Sequence, residues 1–570
     1  MRRLWLLLFA TIFLVSCSAR EIDIADAPRG FADWLFHNGK IITVDRTFSI
    51  QQSLAIKDGL IVAVGSNAAV RTWRGPKTRE IDLAGRAMIP GLIDAHMQAT
   101  AAGSNWDSEL HWERLNSLAD GLQLIAAASK RQSPGSWIVV GGGWVPTQFA
   151  ERRFPTRAEL DSIAPKHPVY IQYLRQGALL NSAGLVAAGI TDKTANPAGG
   201  KFEKDRSGQL TGWLQGVAAW EHAYGKIPKL PPDRIAENLR NCFRELNRLG
   251  VTGVVDLHTA GVSFMHRRIL SDMARARSLT LRLSYFVAAN GPGDEVEQRR
   301  AILEEVRAFE SSDLFRFAGF AETAPGGIDA SDLFTNPKDN VLDTAAQERF
   351  RRVLRFFAQS DSSFRLHTLD APAQQLLDIM EQLHQETPFK QQKITFAHFE
   401  DATAASIERI KKLGGGIAVQ NRLALTGERT VETWGDQRAR NAPPLRAMIQ
   451  SGVPLGAGTD GFGASNYSPM LSLWWLVTGK TVAGTRLREP QQNLTRAEAL
   501  RLYTIGSAWF SADEKRRGSL EAGKLADLAV LNADFLTVPE DQIPHLESLL
   551  TMVGGRIVYA ARPFAQLVAP

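Results

Sequence analysis

Short apolar runs alternate along most of this chain with stretches whose apolar residues recur at helical spacing. The runs include Trp137–Val140, Pro168–Ile171, Val251–Asp256, Leu281–Phe286, Phe364–His367, Ile394–His398 and Val453–Asp460. Between them, Arg234–Leu249, Val296–Phe309, Ala345–Gln359 and Ala404–Leu413 carry the 3.6-residue period of amphipathic helices. Alternation of strand and helix over such a length predicts a parallel α/β barrel. The segment from about 105 to 220 is longer than one strand–helix repeat needs. It is expected to be an insertion covering one barrel mouth.

The pattern changes at both ends. From Trp34 to Leu83, β-rich runs are broken by His37-Asn38-Gly39-Lys40 and Lys57-Asp58-Gly59, and Asn-Gly and Asp-Gly between such runs signal hairpins. Gly518–Leu531 reads as turn then strand, and Met552–Tyr559 as a further hairpin around Gly554-Gly555. Two β pieces at opposite ends of one chain are expected to pair into one satellite domain. The predicted organisation is residues 33–87 with 518–570 as the satellite and 88–517 as the barrel, insertion included.

The N-terminus follows neither pattern. Arg2-Arg3 precede an apolar run from Leu4 to Val15, too short to span a bilayer comfortably and suited to a signal peptide. Leu14-Val15-Ser16-Cys17 resembles a bacterial lipobox, which implies a signal peptide of residues 1–16, lipidation of Cys17 and a linker over 17–32. Each buried methylene of an acyl chain adds about 0.8 kcal/mol of membrane affinity, so several chains anchor stably. The expected location is the bacterial cell envelope, extracytoplasmic and lipid-anchored, on the periplasmic face in a Gram-negative cell. After Cys17 only Cys242 remains, so an intrachain disulfide and a Cys-rich metal site are both excluded from the mature chain. Cys242 is expected to pack as a small hydrophobe on a helix.

Composition changes little in this picture. At 570 residues, 44% hydrophobic and 22% charged, the chain suits a large barrel with a satellite. A formal charge of +6 with scattered basic residues argues against a nucleic-acid partner.

The candidate chemistry sits at strand ends. In Ala87–Gln98, an apolar run is punctuated by Pro90-Gly91, restarts at Leu92-Ile93 and ends in Asp94 and His96. Three other runs end in His367, His398 and Asp460. A parallel barrel gathers its strand C-termini on one face, so these four are expected to converge there. Imidazoles and a carboxylate are a natural donor set for one divalent metal, zinc above all. Asp460 then doubles as the general base.

Pro90-Gly91-Leu92-Ile93-Asp94-Ala95-His96, His367, His398, Gly458-Thr459-Asp460 and Gly518–Leu528 together resemble the amidohydrolase superfamily. Trp137-Ile138 with Gly143-Trp144, Leu160-Asp161 with Pro168-Val169-Tyr170, and Asn181-Ser182 resemble its branch of N-substituted formamide deformylases and exoenzyme-regulatory-type amidohydrolases. The resemblance implies a distorted (β/α)8 barrel with a composite β-sandwich. It also implies hydrolysis of a non-peptide carbon–nitrogen bond of a small-molecule substrate by metal-activated water. His96 corresponds to the first His of the first-strand pair, His367 and His398 to the fifth- and sixth-strand ligands, and Asp460 to the eighth-strand ligand and base.

Several positions depart from the pattern. Gln98 stands where the second His of the first-strand pair is expected, a neutral and degenerate ligand at best. Gln176 stands where another His is expected. Gly212–Gly216 carries no acid, and Gly319–Gly327 lacks the expected Lys and Asp-Gly. Two readings follow: a one-metal hydrolase held mainly by His367 and His398 with His96 and Asp460 assisting, or a catalytically silent barrel that binds a small ligand. Oligomeric state is left open, a homo-oligomer included. Of the remaining polar residues, His258 is read as a neighbour of the site or a solvent-exposed residue rather than a replacement ligand, and Asp94 as holding the first strand's mouth. Trp474-Trp475 is read as packing a helix on the barrel, and His111 with Trp112 as lining an entrance. Gly141-Gly142-Gly143 is not a phosphate loop, because no helix with Lys-Ser/Thr follows it.

Overall fold

The computed structural model describes residues 30–258, 262–289, 294–309, 311–321 and 342–567. The signal segment, the lipobox with Cys17, and Glu322–Gly327 therefore lie outside the described residues.

Eight parallel strands form the central sheet: β1 (Leu92–Met97), β2 (Val251–His258), β3 (Arg282–Ala288), β4 (Phe315–Ala321), β5 (Phe364–Thr368), β6 (Ile394–His398), β7 (Gly416–Gln420) and β8 (Leu455–Gly458), in that spatial order. Every residue of β1, β2, β6 and β7 is buried. That is the burial expected of parallel strands covered on both faces. The ring closes just beyond β8, where Asp460 N–H donates to the His96 carbonyl (2.8 Å) and Gln98 N–H donates to the Gly461 carbonyl (2.9 Å). The seam between β4 and β5 is thin, with Phe320–Phe364 its single register pair. The barrel is thus distorted in the sense expected.

The helices return on the outside. Pro232–Arg248, Glu295–Val306, Thr344–Ser360 and Ala404–Lys412 lie within three residues of the predicted spans. Pro232–Arg248 buries Ile235, Leu239, Cys242, Phe243 and Leu246 on one face, so Cys242 is a packing residue. In Pro469–Thr478, Trp475 is fully buried in the barrel core and Trp474 packs against that core.

The two chain ends pair as a sandwich. Ala87–Pro90 runs antiparallel to Leu528–Leu531, with Ala529 opposite Ile89. This places both ends in one six-stranded sheet, which faces a four-stranded sheet of Leu60–Gly65, Ser53–Lys57, Trp34–His37 and Arg79–Asp82. Phe36, Leu54, Ile56 and Ile61 from one sheet meet Met88, Leu528, Val530 and Met552 from the other. Asp58-Gly59 and Gly554-Gly555 form the tight hairpin turns their residues require, with φ of 51°, 79°, 56° and 76°.

Two expectations fail. Asn38-Gly39 closes no hairpin, because Trp34–His37 and Lys40–Ile42 belong to different sheets and the turn carries the chain between them. Trp137–Val140 and Pro168–Ile171 are not barrel strands. Ile138–Val140 and Val169–Tyr173 pair in the insertion's own six-stranded sheet, where a fully buried strand has the same apolar signature as a barrel strand.

The insertion rests on the loop after β8. A Cβ on Gly142 would lie 2.7 Å from Gly463 Cα, and one on Gly143 would lie 2.7 Å from the Ser465 carbonyl oxygen. The glycine run therefore serves close backbone approach at the C-terminal rim of the barrel.

Candidate metal centre

His96 and His367 are the penultimate residues of β1 and β5, His398 is the last of β6, and the chain leaves β8 through Thr459 into Asp460. The tertiary structure brings all four together. One ligand nitrogen from each imidazole falls within 4.8 Å of the others. The ring centroids are 4.8 Å apart for His96–His367, 5.1 Å for His96–His398 and 4.5 Å for His367–His398. Asp460 faces two of them, with Oδ1 3.5 Å from His96 Nε2 and Oδ2 3.9 Å from His398 Nε2. Among the described residues, His96, His367 and His398 form the group of His, Cys, Asp and Glu side chains arranged to share an ion, with Asp460 beside them.

Backbone strain marks the same place. His398 and Asp460 both adopt left-handed conformations, with φ of 70° and 54°. Such residues persist only where the surroundings over-determine them, and they cluster at functional sites. Here Gln420 Oε1 accepts from His398 N–H (2.7 Å), and the ring-closing bond to the His96 carbonyl fixes Asp460.

The electrostatics suit a ligand set. Burial, then the nearby Arg422 guanidinium, hold the His398 imidazole well below its usual pKa. His398 is therefore neutral at pH 7, as a metal ligand must be. Glu400, buried below, takes a bidentate bond from Arg422. Burial drives the Asp94 carboxyl up to about 7, against the pull of the donors it accepts from. Those donors are His96 N–H (2.9 Å), Thr459 N–H (3.0 Å) and Thr459 Oγ1 (2.7 Å). Asp94 thus ties β1 to the end of β8 and sets the spacing of His96 and Asp460.

Two expected positions lie elsewhere. Gln176 sits in a turn of the insertion and accepts from Arg429 on the helix Leu423–Trp434, joining insertion to barrel. His258 is buried, stacks on Tyr285 at 4.8 Å and places Nε2 3.0 Å from Asp256 Oδ2. Its neighbours Val255 and Leu257 fill the barrel interior with Ala95, so the alternation of β2 turns His258 towards the helices. Gln98 is held by its backbone to the same loop as Asp460. No lysine is buried among the described residues.

Sequence reading missed Arg365. It is 2% exposed, and its Nη2 donates to the Ala95 carbonyl (2.8 Å) and to His96 Nδ1 (3.2 Å). Its guanidinium lies 5.4 Å from the Phe286 ring and 5.9 Å from the Phe510 ring. Strand alternation carried the signal, because Arg365 stands two residues before His367 and must share its face.

At the rim, His111 stacks on Trp106 at 3.8 Å, and Trp106 meets Phe462 and Tyr467 edge-on at 5.5 and 5.6 Å. His111 Nδ1 lies 3.6 Å from Glu113 Oε1. Burial would lower this imidazole, but Glu113 outweighs it and raises the pKa to about 9.

A family model described as the amidohydrolase family matches residues 79–559. The chain belongs to the amidohydrolase family. It is 28% identical to N-substituted formamide deformylase of Arthrobacter pascens over 555 residues, covering 92% of this chain and 98% of that protein. It is 26% identical to the exoenzymes regulatory protein AepA of Pectobacterium carotovorum subsp. carotovorum over 233 residues, 40% of this chain and 50% of that protein. These two place this amidohydrolase in the branch its motifs indicated. An uncharacterized metal-dependent hydrolase from Pyrococcus horikoshii has the same fold, with a TM-score of 0.64 at 20% identity over 89% of this chain and 99% of that one.

Proposed function

We propose that this amidohydrolase uses one divalent ion, zinc by its donor set, to hydrolyse an amide-type, non-peptide carbon–nitrogen bond in a small molecule. The observation that carries this reading is the convergence of three imidazoles and the Asp460 carboxylate at the C-terminal rim of the barrel. Family membership supports the reaction class, and the deformylase relative supports an amide-type bond. His367, His398 and Asp460 would hold the ion, with His96 beside them. A bound divalent ion supplies Lewis acidity, polarising the scissile carbonyl and making water acidic near pH 7.

The remaining steps belong to side chains. Asp460 takes the proton from the attacking water and returns it to the leaving nitrogen. Neutral His398 offers a lone pair at working pH. Asp94 and Thr459 hold the two strand ends in register while the charge on Asp460 changes. The rim around His111, Trp106 and Phe462 borders the approach to Asp460 and is suited to contact the substrate.

The test is metal content by elemental analysis together with turnover of N-formyl and N-acyl amines. Stoichiometric zinc and turnover that chelation abolishes are expected. Protein that takes up no divalent ion at neutral pH would remove this reading in favour of a barrel that only binds a ligand. The lipobox supports a further element, anchoring at the envelope through Cys17. Labelling with radioactive palmitate should be lost in Cys17→Ala.

A further inference from the structure

We propose that Arg365 keeps His96 out of the ion's donor set, leaving His367, His398 and Asp460 as the ligands and His96 facing Asp460 with a protonated Nε2. This rests on the metal reading above and says which side chains carry it out.

A guanidinium has five N–H donors and no acceptor, and it keeps its charge in proteins. The bond between Arg365 Nη2 and His96 Nδ1 (3.2 Å) therefore has one possible direction: Nδ1 accepts. A neutral imidazole has one lone pair and one N–H on its ring nitrogens. With the Nδ1 lone pair engaged, the proton sits on Nε2. That nitrogen faces Asp460 Oδ1 at 3.5 Å, and it is the one His96 aims at the centre. An Nε2 carrying a proton cannot bind a metal. Conversely, if Nε2 bound an ion, the proton would move to Nδ1 and point at an arginine N–H. Ligation by His96 and the Arg365 bond exclude each other.

Arg365 is held where it is. The second hydrogen of Nη2 goes to the Ala95 carbonyl (2.8 Å), the residue is 2% exposed, and the Phe286 and Phe510 rings flank the guanidinium. It is also a permanent positive charge in direct contact with the ring that would have to donate to a second cation. Metal-ligating histidines ordinarily give their other N–H to a carboxylate or carbonyl, which raises ligand basicity. Arg365 supplies the opposite.

Zinc binding to the metal-free full-length protein, measured by competition with a chromophoric chelator, tests the proposal in wild type, Arg365→Met, His96→Ala, His398→Ala and the double variant R365M/H96A. Methionine fills an apolar niche between two aromatic rings. R365M should bind zinc more tightly by on the order of 10- to 100-fold, the range over which a partner of a ligating histidine tunes affinity. That gain should vanish in R365M/H96A. H96A alone should weaken binding far less than H398A does. An R365M that binds no tighter than wild type, or an H96A as damaging as H398A, overturns the proposal. Long-range ¹⁵N–¹H spectra of the histidine-labelled, metal-free wild type decide the same point without a core variant. A proton on Nε2 of His96 is expected, and one on Nδ1 overturns the assignment. Absence of zinc binding in wild type and R365M alike would sink the metal reading, while the tautomer would still decide the role of Arg365.

Discussion

At the scale of single residues, His398 and Asp460 share a conformation that most residues avoid. One ends β6 and the other follows β8, each is held by a bond from its backbone N–H, and each presents a polar side chain to the same point. Asp460→Asn keeps the ring-closing backbone bond and loses the base. Its turnover should fall to background with an unchanged thermal midpoint, and undiminished turnover would show that the base is another group. Gln98→His places an imidazole just after β1, on a residue whose backbone bonds the loop that carries Asp460, and tighter zinc binding by chelator competition is expected. No gain would mean that the pocket has closed over the missing ligand position.

The His111–Glu113 pair gives a pH dependence with a definite sign. The folded His111 is raised to about 9 from an ordinary 6.5. Its contribution to stability is therefore fully present below about 6.5 and is lost as pH rises through about 9. Denaturation midpoints between pH 6 and 9 should fall in wild type and fall less in Glu113→Gln. Equal slopes in the two proteins would remove the pair as the cause.

At the scale of elements, barrel closure depends on Gly458. A Cβ there would lie 2.5 Å from His96 N and 2.7 Å from Asp94 Oδ1. Gly458→Ala must push β8 away from β1, shifting Asp460 relative to His367 and His398. A loss of about 1–3 kcal/mol of stability, typical of overpacking, is expected together with weakened zinc binding. A variant with wild-type affinity would show that the ligands tolerate that shift. The helices were legible because a 3.6-residue period over a dozen positions has no competing explanation. The strand pattern was less decisive. Ile138–Val140 and the Val169–Ile171 part of Val169–Tyr173 read like barrel strands because burial on both faces erases alternation, whichever sheet does the burying. Asn38-Gly39 carried a turn signal, and the turn exists, but what it connects depends on two sheets assembled from distant segments.

At the scale of the whole molecule, a buried ion pair joins barrel to sandwich. Arg282 on β3 bonds Asp527 through Nε (2.7 Å) and Nη2 (3.0 Å), and both side chains are buried. Asp527 also accepts from Gly554 N–H (2.7 Å). Arg282→Met leaves that carboxylate buried without its cation. A stability loss of about 3–5 kcal/mol in chemical denaturation is expected, the usual result of removing one partner of such a pair. A loss below that range would mean that water or another cation reaches Asp527.

Local order was available from the amino-acid sequence alone: which stretches are strands and helices, that both ends are β-rich, and that four strand ends carry ligand-type side chains. These follow from periodicity and turn chemistry, which act over a few residues. The tertiary structure decided what meets what. It turned His258 towards the helices while sending His96, His367 and His398 to one point. It gave the insertion its own sheet and set Arg365 against His96 across 269 positions of chain. Such contacts arise from packing eight strands into a ring, and no local pattern specifies which lumen residue will lie beside which.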